Sequence, residues 1–295
     1  MPNTPSPLIK IIDPHLHFFN LKCGDYHWLQ PQNPPFWPDK AAIHRSYSEH
    51  DLSLPSSIQL SGFVHIEAGF DNQRPWREID WLENTVTLPF KSVATINLTN
   101  DPTTFQSDIN KLSKYSSLIG VRHILDEQAQ AILSSPDVYE NFACLAHHSL
   151  LFETQVNGSD TQGIKQLVHL AQAQPTLHFV INHGAFPPQC DDEIEVWKAN
   201  MKYISCCPNI TIKASGWEMI NRSYSANWIN FIVCELLSLF GQQRVMLASN
   251  FPLCTFSQGY AALWKLYLNL SIPESIKKRL IYDNALQIYH LSHTD

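Results

Sequence analysis

The hydrophobic residues of the chain form eight short apolar runs, and longer amphipathic segments separate them. Short strands that alternate with helices predict a parallel sheet covered by helices. The predicted strands lie around residues 10–13 and at 60–68, 92–98, 118–125, 150–156, 177–183, 209–216 and 244–250. Apolar residues recur every three or four positions, as on one face of a helix, in the segments 77–86, 104–115, 161–174 and 226–240.

Eight strand–helix units predict an α/β fold of the (β/α)8 TIM-type barrel class. The chain has 295 residues, and barrels of this class typically have about 250. No linker, internal repeat or low-complexity segment divides the chain, so we expect a single domain over residues 1–295. An open doubly wound sheet is the alternative. Such a sheet usually carries a G-x-G-x-x-G turn after its first strand, and the chain has none.

Residues 20–58 predict a long loop over the mouth of the barrel. Prolines oppose regular helices and central strands, and four fall here, namely Pro31, Pro34, Pro35 and Pro38. The aromatic residues of the same segment are Trp28, Phe36 and Trp37. Loops that follow barrel strands commonly build the active site. The alternative is a loop that only covers hydrophobic surface. Residues 271–295 predict terminal helices.

Charge and cysteine content narrow the classes of function. The net charge is −7 and the chain has no basic run, which argues against nucleic-acid binding because such proteins carry a basic face. The seven cysteines form no C-x-x-C pair, so we expect reduced thiols, most of them packed in the core of a cytoplasmic protein. Residues 1–8 lack a signal-peptide core. No apolar stretch approaches the roughly 18 residues that cross a bilayer, so we expect no membrane association.

The strongest local motif is Asp13-Pro14-His15-Leu16-His17 at the end of the first predicted strand. Side chains alternate along a strand, so His15 and His17 share one face. Two imidazoles placed in this way can chelate one metal ion, and Asp13 can orient one of them. A pair of buried, hydrogen-bonded structural histidines is the alternative.

A third histidine, His183, ends the sixth predicted strand and precedes Gly184. Active sites of these barrels lie at the carboxyl ends of the strands. His15, His17 and His183 could therefore form a three-ligand catalytic metal site with one open position. A histidine that caps a turn is the alternative interpretation of His183.

Other strand ends also carry ionisable side chains that we interpret as substrate-binding candidates. They are His65, Glu67, Arg122, Glu153 and Lys213. Arg122 and Lys213 could bind a substrate carboxylate, the arginine through two parallel hydrogen bonds. The alternative is that each belongs to a salt bridge inside the barrel.

Several segments together resemble the amidohydrolase-related proteins (amidohydrolase family 2), close to the bacterial sugar lactonases and pyrone-dicarboxylate lactonase. The matching segments are IIDPHLHFF, GFVHIEAGFD, IGVRHIL, FVINHGAFP, ITIKASGW, FGQQRVMLASNFP and DNALQIYHL. They span nearly the whole chain in the order found in that family. The resemblance implies a (β/α)8 barrel that hydrolyses cyclic esters, amides or related bonds, and some relatives decarboxylate. By the same resemblance, His15, His17 and His183 match the active-site histidines.

The eighth strand end departs from the family pattern, which resembles G-S-D-W-P. This chain has Ala248-Ser249-Asn250-Phe251-Pro252, so Asn250 stands where the family has a proton-transferring or metal-binding aspartate. An amide takes up no proton near neutral pH, and a general base contributes about 10²–10⁴-fold in rate. Three explanations are open. Another carboxylate, such as Glu67 or Glu153, performs the role of the aspartate; the chemistry differs; or the protein binds a ligand without reacting.

The function expected from the sequence is hydrolysis of a small lactone or related cyclic ester or amide. Water is activated by a metal at His15, His17 and His183 or is held directly by these histidines, with Asn250 in the same cleft. A divalent metal, zinc or manganese, is expected to be weakly bound or absent. A catalytically impaired ligand-binding barrel and a decarboxylase are the alternatives. The partner is a small molecule, and a homodimer is compatible with the sequence.

Overall fold

Eight parallel strands form the centre of the computed structural model, which describes residues 8–292. Each strand pairs with the next along the chain, so the predicted (β/α)8 barrel is confirmed. The predicted polar segment 1–8, except for Leu8, and the last three residues of the predicted terminal segment lie outside the described residues. The strands are β1 (Ile9–Leu16), β2 (Ile58–Ile66), β3 (Phe90–Thr95), β4 (Leu118–Asp126), β5 (Leu151–Val156), β6 (Phe179–Ile181), β7 (Ile210–Ala214) and β8 (Val245–Leu247).

Helices follow the strands and cover the barrel. They are α1 (Trp76–Thr85), α2 (Pro102–Leu112), α3 (Ala129–Leu133), α4 (Val138–His147), α5 (Thr161–Ala173), α6 (Asp191–Ser205), α7 (Trp217–Ile220), α8 (Ala226–Phe240), α9 (Tyr260–Leu268), α10 (Glu274–Lys278) and α11 (Asn284–Ile288). Side chains of Asp101, Asp160 and Ser225 accept hydrogen bonds from the first-turn amides of α2, α5 and α8, which stabilises each helix start. Within residues 8–292, no helix combines the length and the apolar character that crossing a membrane requires.

The last three strands are shorter than the apolar runs that predicted them. The backbone has a positive φ at His183 (54°), Gly216 (66°) and Asn250 (58°). A strand needs a strongly negative φ, so pairing ends before each of these residues. The predicted runs therefore extended through the turns that present candidate residues to the barrel mouth.

The barrel closes where the end of β1 meets the segment after β8. The backbone N–H of His17 donates to the carbonyl of Phe251 at 2.7 Å, and the N–H of Asn250 donates to the carbonyl of His15 at 2.9 Å. One oxygen of the Asp13 carboxylate accepts from the Ser249 N–H at 3.0 Å, and the other accepts from the Ser249 hydroxyl at 2.5 Å. These bonds join the first and last parts of the barrel beside the candidate histidines.

The long loop after β1 is ordered by polar contacts as well as by packing. Its helical structure consists of three short 3₁₀ turns, at residues 27–29, 40–43 and 49–51, and β2 begins at Ile58. The Lys40 ammonium is buried and donates to the backbone carbonyls of Trp28 and Asn33 at 2.8 and 2.7 Å. Asp39 forms an ion pair with Arg222 at 2.8 Å, which links the loop to the segment after β7.

The cysteines are all free thiols, as expected for reduced side chains. Their expected placement in the core is wrong for most of them, because Cys207 and Cys254 are buried and the others are partly or fully exposed. A thiol on the outer face of a helix, such as Cys234 on α8, adds no apolar contact to the core.

We predict that Ser249→Ala destabilises the fold, because it removes a hydrogen bond to the buried Asp13 carboxylate and one from the Phe251 N–H. The free energy of unfolding, measured by urea denaturation, should fall by about 1–3 kcal/mol. Ser238→Ala is the control, since the exposed Ser238 hydroxyl donates to the Glu235 carbonyl of its own helix. Equal stability of the two variants would contradict the role given to the closure contacts.

Candidate active site

A cavity of about 790 Å³ opens at the carboxyl ends of the strands, a volume that suits a small-molecule ligand. His17, His183 and Asn250 line it, although they follow different strands. Glu67, after β2, and Arg122, in β4, also line it. The structure therefore brings together several of the side chains singled out from the strand ends.

Three histidine rings form a cluster at the base of this cavity. The ring centroids of His15 and His17 are 5.1 Å apart, and those of His15 and His183 are 4.6 Å apart. All three side chains are buried. Burial is the largest cause that holds the pKa of each ring well below its usual range. The positive charge of Arg122 lowers all three pKa values further, and that of Lys213 lowers those of His15 and His183. The rings are therefore neutral near neutral pH.

Hydrogen bonds assign different tautomers to the two histidines of β1. His17 Nδ1 lies 2.8 Å from the Ile66 carbonyl, which only accepts, so Nδ1 carries the proton and Nε2 keeps a lone pair. His15 Nδ1 lies 3.4 Å from the Lys213 ammonium, which only donates, so Nδ1 accepts and Nε2 carries the proton. His15 Nε2 is buried and has no hydrogen-bond partner within residues 8–292.

His183 reaches the cluster because the turn after β7 is built from glycine. Its Nδ1 lies 3.1 Å from the Ser215 hydroxyl. A Cβ atom on Gly216 would lie 2.4 Å from that same Nδ1, far inside van der Waals contact. Gly216 also has a φ of 66°, which side-chain-bearing residues adopt at a cost. Close approach of backbone and ring therefore requires glycine here.

Lys213 and Glu153 form a fully buried ion pair beneath the cavity. The ammonium donates to the two carboxylate oxygens at 2.8 and 2.6 Å. Asn182 and Tyr289 each donate a further hydrogen bond to Glu153 at 2.7 Å. Four donated bonds occupy this carboxylate, and neither partner lines the cavity. In this arrangement Lys213 donates to Glu153, and the Glu153 carboxylate is occupied by three donor groups.

Arg122 and Glu67 also pair with each other, but at the cavity wall. Arg122 Nε donates to the Glu67 carboxylate at 2.8 Å, and Nη2 donates to the Glu67 backbone carbonyl at 3.0 Å. Nη1 is the guanidinium nitrogen that is not engaged with Glu67. His65 lies apart from the cavity lining, and its Nε2 accepts the Phe18 N–H at 3.0 Å. Burial lowers the pKa of His65 to about 3.

The amide of Asn250 is hydrogen-bonded to a carboxyl group that the sequence analysis did not single out. Asn250 Nδ2 donates to Glu218 Oε1 at 2.6 Å, and Glu218 is fully buried. Burial is the largest cause that raises the pKa of Glu218 to about 7. A second carboxyl group, Asp126, lines the cavity, and burial raises its pKa as well. Both residues follow or end a predicted strand, which was the available signal.

The remaining cavity wall is rich in neutral polar and aromatic side chains. The amide-bearing lining residues, apart from Asn250, are Asn72, Gln73, Asn97, Asn100 and Gln155. Trp28 and Trp37 of the long loop face the same cavity, with ring centroids 6.2 Å apart. Among the described lining residues Arg122 is the only lysine or arginine, and acidic side chains outnumber it.

The donor set does not fit a divalent metal held by the three histidines. In the described part of the chain, no group of three or more histidine, cysteine, aspartate or glutamate side chains is arranged to hold an ion. Metal ligation needs a lone pair on each facing nitrogen, whereas the Lys213 ammonium, 3.4 Å from His15 Nδ1, favours the tautomer that has its proton on Nε2. Asn250 adds no negative charge to the cluster of neutral rings, so an anionic ligand is missing at this position.

Comparison with known proteins places these features in a family. The sequence profile of the Amidohydrolase family matches residues 12–291. The uncharacterized protein y4mH of Sinorhizobium fredii (strain NBRC 101917 / NGR234) is 27% identical, with 96% of this chain and 99% of that protein covered. L-fucono-1,5-lactonase of Burkholderia multivorans (strain ATCC 17616 / 249) is 21% identical, with 84% of each covered.

The fold is shared with a solved structure of the same class. An amidohydrolase from Burkholderia multivorans with bound zinc has a TM-score of 0.79 and 18% identity, with 96% of this chain and 99% of that chain covered. The family match begins within β1 and extends beyond α11, so it includes the three clustered histidines and Asn250. The chain thus belongs to the amidohydrolase family.

Proposed function

We propose that the protein hydrolyses a small, neutral lactone that carries several hydroxyl groups. The observation that carries this proposal is the position of the histidine cluster and Asn250 at the base of a cavity whose wall is rich in amide side chains. Amide side chains can donate to and accept from hydroxyl groups. Trp28 and Trp37 supply flat apolar surfaces for the carbon face of a ring.

The charges of the cavity favour a neutral substrate over a carboxylated one. Arg122 is paired with Glu67, and Lys213 is buried in its pair with Glu153. A substrate carboxylate that drew either cation away from its glutamate would leave a buried carboxylate unpaired, which costs several kcal/mol. With its ion pair intact, Arg122 offers Nη1 alone, without the two-nitrogen fork that binds a carboxylate well. The same reasoning disfavours a decarboxylase, because its substrate carries a carboxylate. The lactonase relative named above acts, by its name, on a sugar lactone.

The histidines supply acceptor and donor groups for attack of water on the lactone carbonyl. In the proposed reaction His17 Nε2 accepts a proton from the water as its oxygen bonds to the carbonyl carbon. Collapse of the tetrahedral intermediate breaks the ring C–O bond, and His17 returns the proton to the departing ring oxygen, which becomes a hydroxyl group. Arg122 Nη1 and the N–H of His15 Nε2 stabilise the negative charge that develops on the carbonyl oxygen. His183 orients the ring of the substrate at the same centre. The histidines act directly, without a resident zinc or manganese ion.

A catalytically impaired ligand-binding barrel is the second candidate. It is favoured by the absence of a carboxylate at position 250 and by the ion pairs that occupy Glu67 and Glu153, the two suggested substitutes. Such a protein would bind the same neutral lactones in the same cavity without hydrolysing them. Turnover by the purified protein separates the two candidates.

The wild-type protein should hydrolyse neutral sugar lactones at least about tenfold more efficiently, in kcat/KM, than a dicarboxylated pyrone lactone, since an unpaired buried charge is costly. His17→Gln should lower kcat by about 10²-fold or more, because the proton acceptor is lost. A pH-indicator assay measures both. His178→Gln is the control, since His178 precedes β6 and bonds Thr211. Faster hydrolysis of the dicarboxylate would refute the substrate class.

Removal of metal should leave the reaction unchanged. After exhaustive dialysis against a chelator, the rate should stay within about twofold, because the histidines rather than a metal ion activate water. Elemental analysis of the same sample measures zinc and manganese. Stoichiometric metal that survives dialysis, or activity that returns only with added metal, would contradict direct catalysis by the histidines.

Gly216→Ala should displace His183 and lower kcat/KM by about 10²-fold, the usual effect of a misplacement of about 1 Å at a reacting centre. Gly241→Ala is the matched control, because Gly241 has a φ of 72° but no atom within 4 Å of the added Cβ. We expect this control to lose stability in urea unfolding and to keep its rate. Equal loss of activity in both variants would show that backbone strain alone is responsible.

A further inference from the structure

Glu218 occupies an unusual position directly behind Asn250. It lies in the short helix α7, and none of its side chain is exposed. One oxygen, Oε1, accepts the Asn250 amide at 2.6 Å. The other oxygen, Oε2, is buried without a hydrogen-bond partner within residues 8–292. Burying a carboxyl group costs free energy unless the group is paired. The hydrogen bond to Asn250 is the contact that offsets part of this cost, which suggests that the bond itself has a role.

The bond determines which atom of the Asn250 amide faces the cavity. The ionised form of Glu218 only accepts, so above its pKa the amide directs Nδ2 to Glu218 Oε1 and Oδ1 away from it. On the other side, Asn250 lines the cavity together with His17, whereas Glu218 does not line it. The amide thus lies between the buried carboxyl group and the cavity.

The backbone of Asn250 is fixed, so rotation of the amide is its main remaining freedom. Its N–H donates to the His15 carbonyl at 2.9 Å, and its own carbonyl accepts from the Cys254 N–H at 3.3 Å. The residue has a φ of 58°, a conformation that asparagine tolerates better than most residues. Without Glu218, the two ends of the amide could exchange places.

We propose that Glu218 is a positioning residue of the active site, whose carboxyl group holds the Asn250 amide with its oxygen toward His17 and the cavity. In that orientation Oδ1 accepts a hydrogen bond from the attacking water, which aligns it with the lactone carbonyl. This role in the reaction rests on the proposed function, whereas the orientation of the amide does not. The acidic group stands behind the cavity wall, and the neutral amide faces the ligand.

The arrangement also predicts what a carboxylate at position 250 would do. Asn250→Asp would place two carboxyl groups within hydrogen-bond distance in a buried site, where they share one proton. That variant alone therefore supplies no independent base. Glu218→Gln together with Asn250→Asp exchanges the acid and the amide, and it restores a donor behind the wall with a carboxylate in front.

The test compares Glu218→Leu, Glu218→Gln, Asn250→Asp and the double variant in the full-length protein. Glu78→Gln is the control for neutralising a buried carboxyl group, because Glu78 is buried but does not line the cavity. Asparagine labelled with ¹⁵N reports the side-chain resonances of Asn250, which the Asn250→Asp spectrum assigns. Steady-state kinetics on a neutral lactone supplies kcat and KM.

We expect the Asn250 amide resonances to move in Glu218→Leu and to stay near their wild-type positions in Glu78→Gln. Glu218→Leu should lower kcat by about tenfold or more with little change in KM, since misalignment acts on the transition state. Glu218→Gln, whose carbonyl still accepts, should stay within about threefold of wild type. The double variant should exceed Asn250→Asp by about tenfold or more.

Unchanged Asn250 resonances in Glu218→Leu would overturn the proposal, because the carboxyl group would then not hold the amide. Equal kcat in Glu218→Leu and wild type would overturn its role in the reaction. If the wild-type protein hydrolyses no lactone, the proposed function fails, and the resonance comparison alone decides whether Glu218 orients Asn250.

Discussion

The closure of the barrel is the contact on which the active centre depends. The Asp13 carboxylate binds the Ser249 N–H and hydroxyl, and the adjacent backbone joins His15 to Asn250. The same few hydrogen bonds therefore close the barrel and set the position of β1 relative to Asn250. Burial raises the pKa of Asp13 to about 6, while the bonds from Ser249 oppose this rise. The Asp13 carboxyl group is thus mostly ionised at neutral pH, and its hydrogen bonds from Ser249 fix the relative orientation of the two residues.

Two buried ion pairs give the site its electrostatic character. Lys213 with Glu153, and Arg122 with Glu67, hold positive charge near rings that burial already keeps neutral. In the proposed reaction, neutral rings with different tautomers provide one acceptor and one donor. The charged side chains of the two pairs bind each other. Substrate hydroxyl groups, rather than carboxylates, would therefore suit the amide side chains that line the rest of the cavity wall.

The sequence predicted the barrel and the convergence of strand ends, because both follow from local periodicity and parallel pairing. Ranges such as 177–183 ran too long, since a positive φ at His183 cannot be read from hydrophobicity. The partners of Lys213 and Asn250 were also beyond the sequence. Glu153 lies 60 residues from Lys213, and Glu218 lies 32 residues from Asn250 along the chain. Only the folded barrel brings such side chains within bonding distance.

The most direct test of a metal-free site for neutral lactones is a crystal structure with an unreactive analogue, the cyclic ether of a sugar lactone, grown with zinc present. We predict that the analogue lies against Trp37 with its reacting carbon beside His17, and that no metal lies among the three histidines. Zinc bound by His15, His17 and His183, or an analogue bound outside this cavity, would contradict the account.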